Sequence, residues 1–291
     1  MRKFFILLVI LVFVGCYKSW REYYSGIDEV CWGSDGKVLF LYSKEWREYN
    51  EDPFSGEPYP VEIEDSIFLY EVNADRSGMR CVCFIGLNEY YSGMSSAGDW
   101  VVYSRREGIN GEDEICVVRR DGSERYNTGV RGRHPDFSPD ASKIVYEKPD
   151  SGIWVMNRDG SNNHPIWGDS INRMPAWSSD GGRIALERDE GRGDRDIWII
   201  DTSGSNRVKL LDTEFQYPIG PFVWAPADTN AIIVYNTIYY LDSFAQIDTT
   251  RGLPGASYYG WSPNGEYLIG IDTEGVFIMR VNGTNKVYIN P

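Results

Sequence analysis

Trp-Ser-Pro-Asn-Gly at residues 261–265 recurs in altered form along this 291-residue chain. It reads Trp-Gly-Ser-Asp-Gly at 32–36, Phe-Ser-Pro-Asp-Ala at 137–141 and Trp-Ser-Ser-Asp-Gly at 177–181. Weaker copies stand at 94–98 (Met-Ser-Ser-Ala-Gly) and 224–228 (Trp-Ala-Pro-Ala-Asp). Six copies at a period of roughly forty residues, each with several short apolar runs, are the mark of propeller blades.

Each copy is followed by a β-branched run, a loop and a second run. In the fourth unit these are Ile184-Ala185-Leu186 and Ile197-Trp198-Ile199-Ile200; in the sixth, Tyr267-Leu268-Ile269 and Val276-Phe277-Ile278-Met279. Short runs bounded by Gly, Asp, Asn and Ser read as strands. A second phrase closes the second run: Asp121-Gly122-Ser123, Asp159-Gly160-Ser161, Ser203-Gly204-Ser205 and Asn282-Gly283-Thr284. Such pairs supply the positive backbone angles of tight hairpins. A short fourth strand follows. The unit is four antiparallel strands, A to D from the axis outward, and the expected fold is an all-β, six-bladed propeller over about residues 27–291. A blade cannot bury both faces alone, so one large ring per blade is expected to wedge between neighbours.

A strand A ending Met174-Pro175-Ala176-Trp177, a following Ile-Trp-Val-Met strand and an Asp-Gly-Ser turn together resemble the TolB-type propeller repeat. The same WD40-like repeat occurs in the propeller of prolyl-oligopeptidase-type peptidases. Units three, four and six match well; unit two lacks the aromatic and unit five the terminal glycine. The resemblance implies a fold and transfers no active site.

Arg2 and Lys3 precede an apolar stretch at residues 4–14, then Gly15-Cys16. This has the form of an export signal and is too short for a comfortable permanent span. A small residue before the first cysteine makes it resemble a bacterial lipoprotein signal. That implies residues 1–15 as signal peptide, acylation of Cys16 and a tether over 16–26. The expected location is the cell envelope, at the periplasmic face of the outer membrane or the outer surface of the cytoplasmic membrane. Phe13 departs from the usual Leu, and an ordinary secretory signal is the alternative.

The chain carries 29 basic and 43 acidic residues, a net of −14. So acidic a body repels nucleic acid and anionic head groups, leaving the lipid anchor as its membrane contact. Beyond Cys16 stand Cys31, Cys81, Cys83 and Cys116. Cys31 falls on strand A of unit one and Cys81 and Cys83 on strand D, three spacings of ~4.8 Å away and beyond disulfide reach. Buried free thiols are expected instead.

Candidate chemistry is sparse. Two histidines, His134 and His164, are too few for a multi-histidine metal site. No Gly-x-Ser-x-Gly elbow or Gly-rich phosphate loop occurs, so no catalytic residue and no cofactor is expected. The acidic loop 189–196 suggests calcium, but its two arginines and spacing favour a solvated loop. A sialidase reading of the Ser-x-Asp-x-Gly turn fails for want of the following Trp.

Alternating strands put the short A–B and C–D turns at one end of every blade, and the variable B–C loops and D–A links at the other. The first B–C loop is expected over about 43–65, with further long loops at 105–114 and 187–196; loops of that length on a repetitive scaffold mark a binding face. Counting three residues back from each anchor places Glu29, Tyr91, His134, Met174, Pro221 and Tyr258 at the channel entry, with Arg131, Arg133 and Arg173 close by. A basic patch there can receive a carboxylate or acidic peptide, or its arginines can pair with neighbouring Asp and Glu. The expected function is an envelope scaffold binding a protein, peptide or glycan through Tyr91, Arg131, Arg133, His134, Arg173, Met174 and Tyr258. The alternatives are a hydrolase or lyase with channel-mouth carboxylates, and a structural part of an envelope assembly.

Overall fold

A computed structural model describes residues 12–14, 17–51, 58–87, 89–107, 111–191, 194–213, 221–243 and 245–289. Cys16 and the apolar run before residue 12 lie outside them. The first sheet orders β1 (Val12–Val14), β2 (Tyr17–Trp32), β3 (Lys37–Glu51), β4 (Pro58–Asn73) and β5 (Arg80–Leu87). The second has β6 (Glu89–Ala97), β7 (Trp100–Glu107), β8 (Glu114–Arg119) and β9 (Arg125–Arg131). The third has β10 (Arg133–Phe137), β11 (Lys143–Lys148), β12 (Gly152–Asn157) and β13 (His164–Trp167). The fourth has β14 (Asn172–Trp177), β15 (Arg183–Gly191), β16 (Asp194–Asp201) and β17 (Arg207–Leu211). The fifth has β18 (Val223–Trp224), β19 (Ala231–Val234), β20 (Thr237–Leu241) and β21 (Ile247–Gly252), and the sixth β22 (Ser257–Trp261), β23 (Tyr267–Asp272), β24 (Gly275–Arg280) and β25 (Val287–Ile289). All pairing is antiparallel in chain order, which is a six-bladed propeller, and no helix occurs among the described residues.

The anchor residues form the wedges between blades. Phe137 packs among Val102 and Ile115 of the blade before it, Trp177 among Val145 and Ile153, Trp224 among Ala185 and Ile197, and Trp261 among Val223 and Ile233. Trp32 packs with Ile269, Val276 and Ile278 of the sixth blade, so the last blade meets the first and the ring is closed. Register corrects the second anchor. Trp32 pairs with Val38, Phe137 with Ile144 and Trp177 with Ile184, and the equivalent pair in blade two is Ser96 with Val101. The position expected at Met94 is therefore held by Ser96, whose hydroxyl donates to the Trp32 carbonyl at 2.6 Å. A hydrogen bond to the neighbouring blade stands where the other blades use a ring.

The repeated phrases have local causes. Ser138, Ser178 and Ser262 donate to Asp140, Asp180 and Asn264 at 2.6, 2.6 and 2.7 Å. Each serine oxygen also accepts the amide five residues on, from Lys143, Arg183 and Tyr267. This closes the A–B turn as a small ring of side-chain bonds. In the C–D turns glycine is required twice over. Gly204 has φ +74°, and a Cβ there would lie 2.1 Å from the Ile166 carbonyl oxygen on β13 of the preceding blade. Gly160 would meet Thr128 O at 2.4 Å in the same way. The turn of one blade thus rests against the outer strand of the one before it.

The largest departure from expectation is blade one. The expected loop over 43–65 is a paired hairpin: β3 and β4 pair from Lys37↔Asn73 to Glu51↔Pro58, with one register shift between Glu48 and Tyr49. Residues 17–26, expected as a tether, are the first part of β2 and pair with β3 as far out as Ser19↔Asn50. Aromatic residues of the kind that crowd these strands favour strand pairing over a solvated loop. Phe40 stacks on Tyr70 at 5.6 Å, Tyr42 meets Tyr70 edge-on at 5.7 Å, and Phe68 meets Phe84 edge-on at 5.5 Å. The four cysteines among the described residues are free, as expected, but only Cys31 and Cys116 are buried while Cys81 is exposed on the outer strand.

Candidate binding face and channel

The inner strands surround a channel of about 520 Å³, and its lining includes Glu29, Gly93, His134, Met174, Pro221 and Tyr259 at the loop-rich end. The mouth at the turn face is built instead from Pro139, Pro226, Pro263 and the anchor rings. The loop-rich end owes its geometry to a bulge in strand A. In blades two, three and four the pairing with strand B skips between Tyr91 and Met94, Arg133 and Asp136, and Arg173 and Ala176. Gly93, His134 and Met174 occupy equivalent sites at φ +103°, +47° and +51°. A left-handed backbone at a histidine or methionine preceding proline is strained, and strain of this kind persists only where packing fixes it.

Carboxylates fix it. The Gly93 amide donates to Glu29 Oε1 at 3.2 Å, and the Met174 amide to Glu147 Oε2 at 3.3 Å. The Trp177 amide donates to Asp136 Oδ2 at 2.6 Å. Each bond crosses from one blade to the next. Glu147 Oε2 also stands 3.0 Å from His134 Nδ1. Burial is the largest influence on the Glu147 carboxylate and works to raise its pKa, but the hydrogen bond and charge of His134, the Met174 amide and the Arg173 charge together outweigh it and hold the carboxyl below its ordinary value. Burial pushes Asp136 the other way, up to about 6, against the hydrogen bonds from Ser95 and the Trp177 amide. Among the described residues no three His, Cys, Asp or Glu side chains converge as a metal site requires.

The expected site residues divide into three groups. His134 and Met174 line the channel mouth, as does Tyr91, which also packs against Tyr103 at 6.1 Å. Arg131, Arg133 and Arg173 sit outside the lining, each in an ion pair. Arg131 meets Glu112, Arg133 Nε lies 2.5 Å from Asp113 Oδ2, and Arg173 Nη1 lies 3.7 Å from Asp189 Oδ2. Of the two readings of the arginines, the geometry fits the paired one. Tyr258 is displaced from the mouth altogether. The blade-six bulge falls between Tyr258 and Gly260, so Tyr259 turns into the channel. Tyr258 is 2% exposed and donates its hydroxyl to Pro254 O at 2.7 Å. Counting back from the anchor misses this because the bulge sits one residue later than in blades two to four.

Sequence reasoning also missed Asp136, Glu147 and Asp113. Asp136 carried a signal: a carboxylate at an inner-strand position that is Cys31, Ala176, Val223 and Gly260 elsewhere. Glu147 and Asp113 had none, since each lies in a strand or loop already rich in charge. In the acidic loop, Arg195 pairs with Glu187 at 2.5 Å and Asp189 at 3.1 Å, and Lys209 pairs with Asp196. These carboxylates are already engaged by basic groups, and the strands run paired out to Gly191↔Asp194.

No family model and no curated protein matches this chain. Solved structures do. TolB from Acinetobacter baumannii superposes with a TM-score of 0.59 over 91% of this chain and 78% of that one, at 13% identity. The fold is that of the TolB propeller. An oligogalacturonate lyase in complex with manganese superposes at 0.52 over 95% and 96% of the two chains, and the Vibrio parahaemolyticus oligogalacturonate lyase at 0.51 over 96% of each, both at 13% identity. Likeness at that identity extends to the fold alone.

Proposed function

We propose that this TolB-like propeller is an exported, lipid-anchored scaffold of the cell envelope that binds a protein, peptide or glycan at its loop-rich face. The observation that carries this reading is the asymmetry between the two ends of the channel. One mouth is uniform, walled by prolines and anchor rings. The other gathers Glu29 and Tyr259 with His134 and Met174, the last two on strained bulges, beneath a hairpin that rises well beyond the ring. Backbone strain held at one end of a repetitive scaffold supports a binding role there. The test is a photo-crosslinking amino acid placed at Tyr259 or Met174, and at Pro226 on the opposite mouth, in cells. Adducts from the first two sites and none from the third are expected; the reverse pattern overturns the assignment. Cys16→Ser is expected to move the protein from the membrane to the soluble fraction, and unchanged membrane attachment refutes the anchor.

One observation favours a second reading. Asp136 and Glu29 both line the channel, and the pKa of Asp136 is raised to about 6, as a general acid would require. A hydrolase or lyase acting on an acidic glycan fits the fold it shares with the lyases. Turnover of oligogalacturonate lost in Asp136→Asn would support it; none in the parent chain removes it.

A further inference from the structure

We infer that blade one is a stiff stalk that holds the loop-rich face, and the channel mouth in it, toward the bilayer. The inference rests on the lipid-anchor reading of Cys16 given above. Its motive is that no free linker separates Cys16 from the fold. The residue after it, Tyr17, already begins β2, which runs unbroken to Trp32. Pairing with β3 extends from Trp32↔Val38 to Ser19↔Asn50, and β3 is itself paired with β4 out to Glu51↔Pro58.

The strand A bulge between Ile27 and Glu29 marks the level of the channel mouth. Residues 17–27 therefore stand beyond it, on the side of the B–C loops, for a rise of roughly 30 Å at strand spacing. A coil of the same length would let the ring tumble, whereas three hydrogen-bonded strands fix both its distance and its orientation. Composition agrees with the placement. Tyr17, Trp20, Tyr23 and Tyr24 on β2 and Trp46 and Tyr49 on β3 crowd this projection, and the register sets Trp20 opposite Tyr49 and Tyr23 opposite Trp46. Trp and Tyr favour the lipid–water interface. The channel mouth then opens onto a gap next to the bilayer, which suits a partner that is itself membrane-attached.

The experiment uses the full acylated protein, purified in detergent and reconstituted in phosphatidylcholine vesicles, with Cys81→Ser and Cys83→Ser as background. One donor dye is placed at Ser170→Cys, on the link entering β14 at the loop-rich end, and in a second sample at Lys143→Cys, at the turn face. Energy transfer to a head-group acceptor is read for both, and mass spectrometry reports the acyl group on Cys16. With about 20 Å between the two faces, transfer from Ser170→Cys is expected to be roughly twofold the higher. A flexible Gly/Ser insert of about twenty residues between Cys16 and Tyr17 should abolish the difference. Equal transfer with Cys16 acylated, or a difference that survives the insert, overturns the stalk alone. A Cys16 without an acyl group overturns the anchor and the stalk together.

Discussion

Charge reversal at Arg133 and at Arg131 should have very different consequences, although both arginines belong to the same rim. Arg133 Nε lies 2.5 Å from an Asp113 carboxylate whose side chain is 5% exposed, and Asp113 also receives a long bond from Ser92 at 3.5 Å. Arg131 and its partner Glu112 are 67% and 58% exposed. Breaking a fully buried pair by removing one partner costs about 3–5 kcal/mol, because the remaining charge is stranded. Arg133 is itself 40% exposed, so water takes up part of that cost. We therefore expect Arg133→Glu to destabilise by about 2–3 kcal/mol. For a domain of this size that is a fall in Tm of roughly 4–10 °C. Arg131→Glu should cost at most about 1 kcal/mol, as exposed pairs do.

Thermal and urea denaturation of the two variants read the difference directly. The companion Arg133→Gln/Asp113→Asn removes both charges, and should recover at least about 1 kcal/mol relative to Arg133→Gln alone. Equal melting temperatures for the Arg131 and Arg133 variants, or no recovery in the double variant, would refute the reasoning. The outcome bears on function as well. Lost partner binding in Arg133→Glu would be confounded by unfolding, whereas in Arg131→Glu it would report on the rim itself.

Gly204→Ala should destabilise by about 2–4 kcal/mol, from a left-handed alanine and from its Cβ pressing on the Ile166 carbonyl, as read in urea unfolding; a neutral effect would mean that the two blades part freely there. Glu71 is 3% exposed and joins Lys37 at 2.8 Å, Arg80 at 2.9 Å and Arg120 of the next blade at 3.5 Å. Glu71→Gln should lower stability by about 2–3 kcal/mol, with a smaller loss in high salt than the Gly204 variant would show if both were packing defects. Asp136 binds its proton more tightly folded than unfolded, since burial lifts its pKa from 3.8 to about 6. Folding then takes up a proton between about pH 4 and 6, and the stability this group contributes falls as pH rises through that window. Asp136→Asn should exceed the parent in stability by about 1–3 kcal/mol at pH 7 and match it near pH 4; parallel stability curves for the two would refute the assignment.

The fold was legible because one constraint repeats. Each blade must place a wedge on its predecessor and close two tight turns. Those demands select a Trp or Phe, a Ser two residues before Asp or Asn, and a Gly that no side chain can replace. Wherever a blade met a demand by other means, the reading slipped. Blade two uses a serine hydroxyl bonded to the Trp32 carbonyl in place of a ring, so its anchor was set two residues early, at Met94. Blade six puts its bulge at Tyr259, and the counted residue Tyr258 fell into the core.

The binding face was legible in outline and not in its charges, for a physical reason. A side chain's place on a face follows from strand alternation, which is local, whereas its partner lies on another strand or link. Arg133 and Asp113 are separated by twenty residues, and Arg173 and Asp189 by sixteen. No spacing rule links them, so the sequence leaves two readings of the three arginines open, a receptive patch or local pairs, and only the structure shows each in an ion pair. Blade one failed in the opposite sense. Alternating charges and aromatics over 43–65 suit a solvated loop as well as a two-sided strand, and only the pairing of Trp20 with Tyr49 and of Glu51 with Pro58 decides between them. Ser43 and Glu45 are the buried positions there while Trp46 is exposed, so no apolar periodicity gives the strand away.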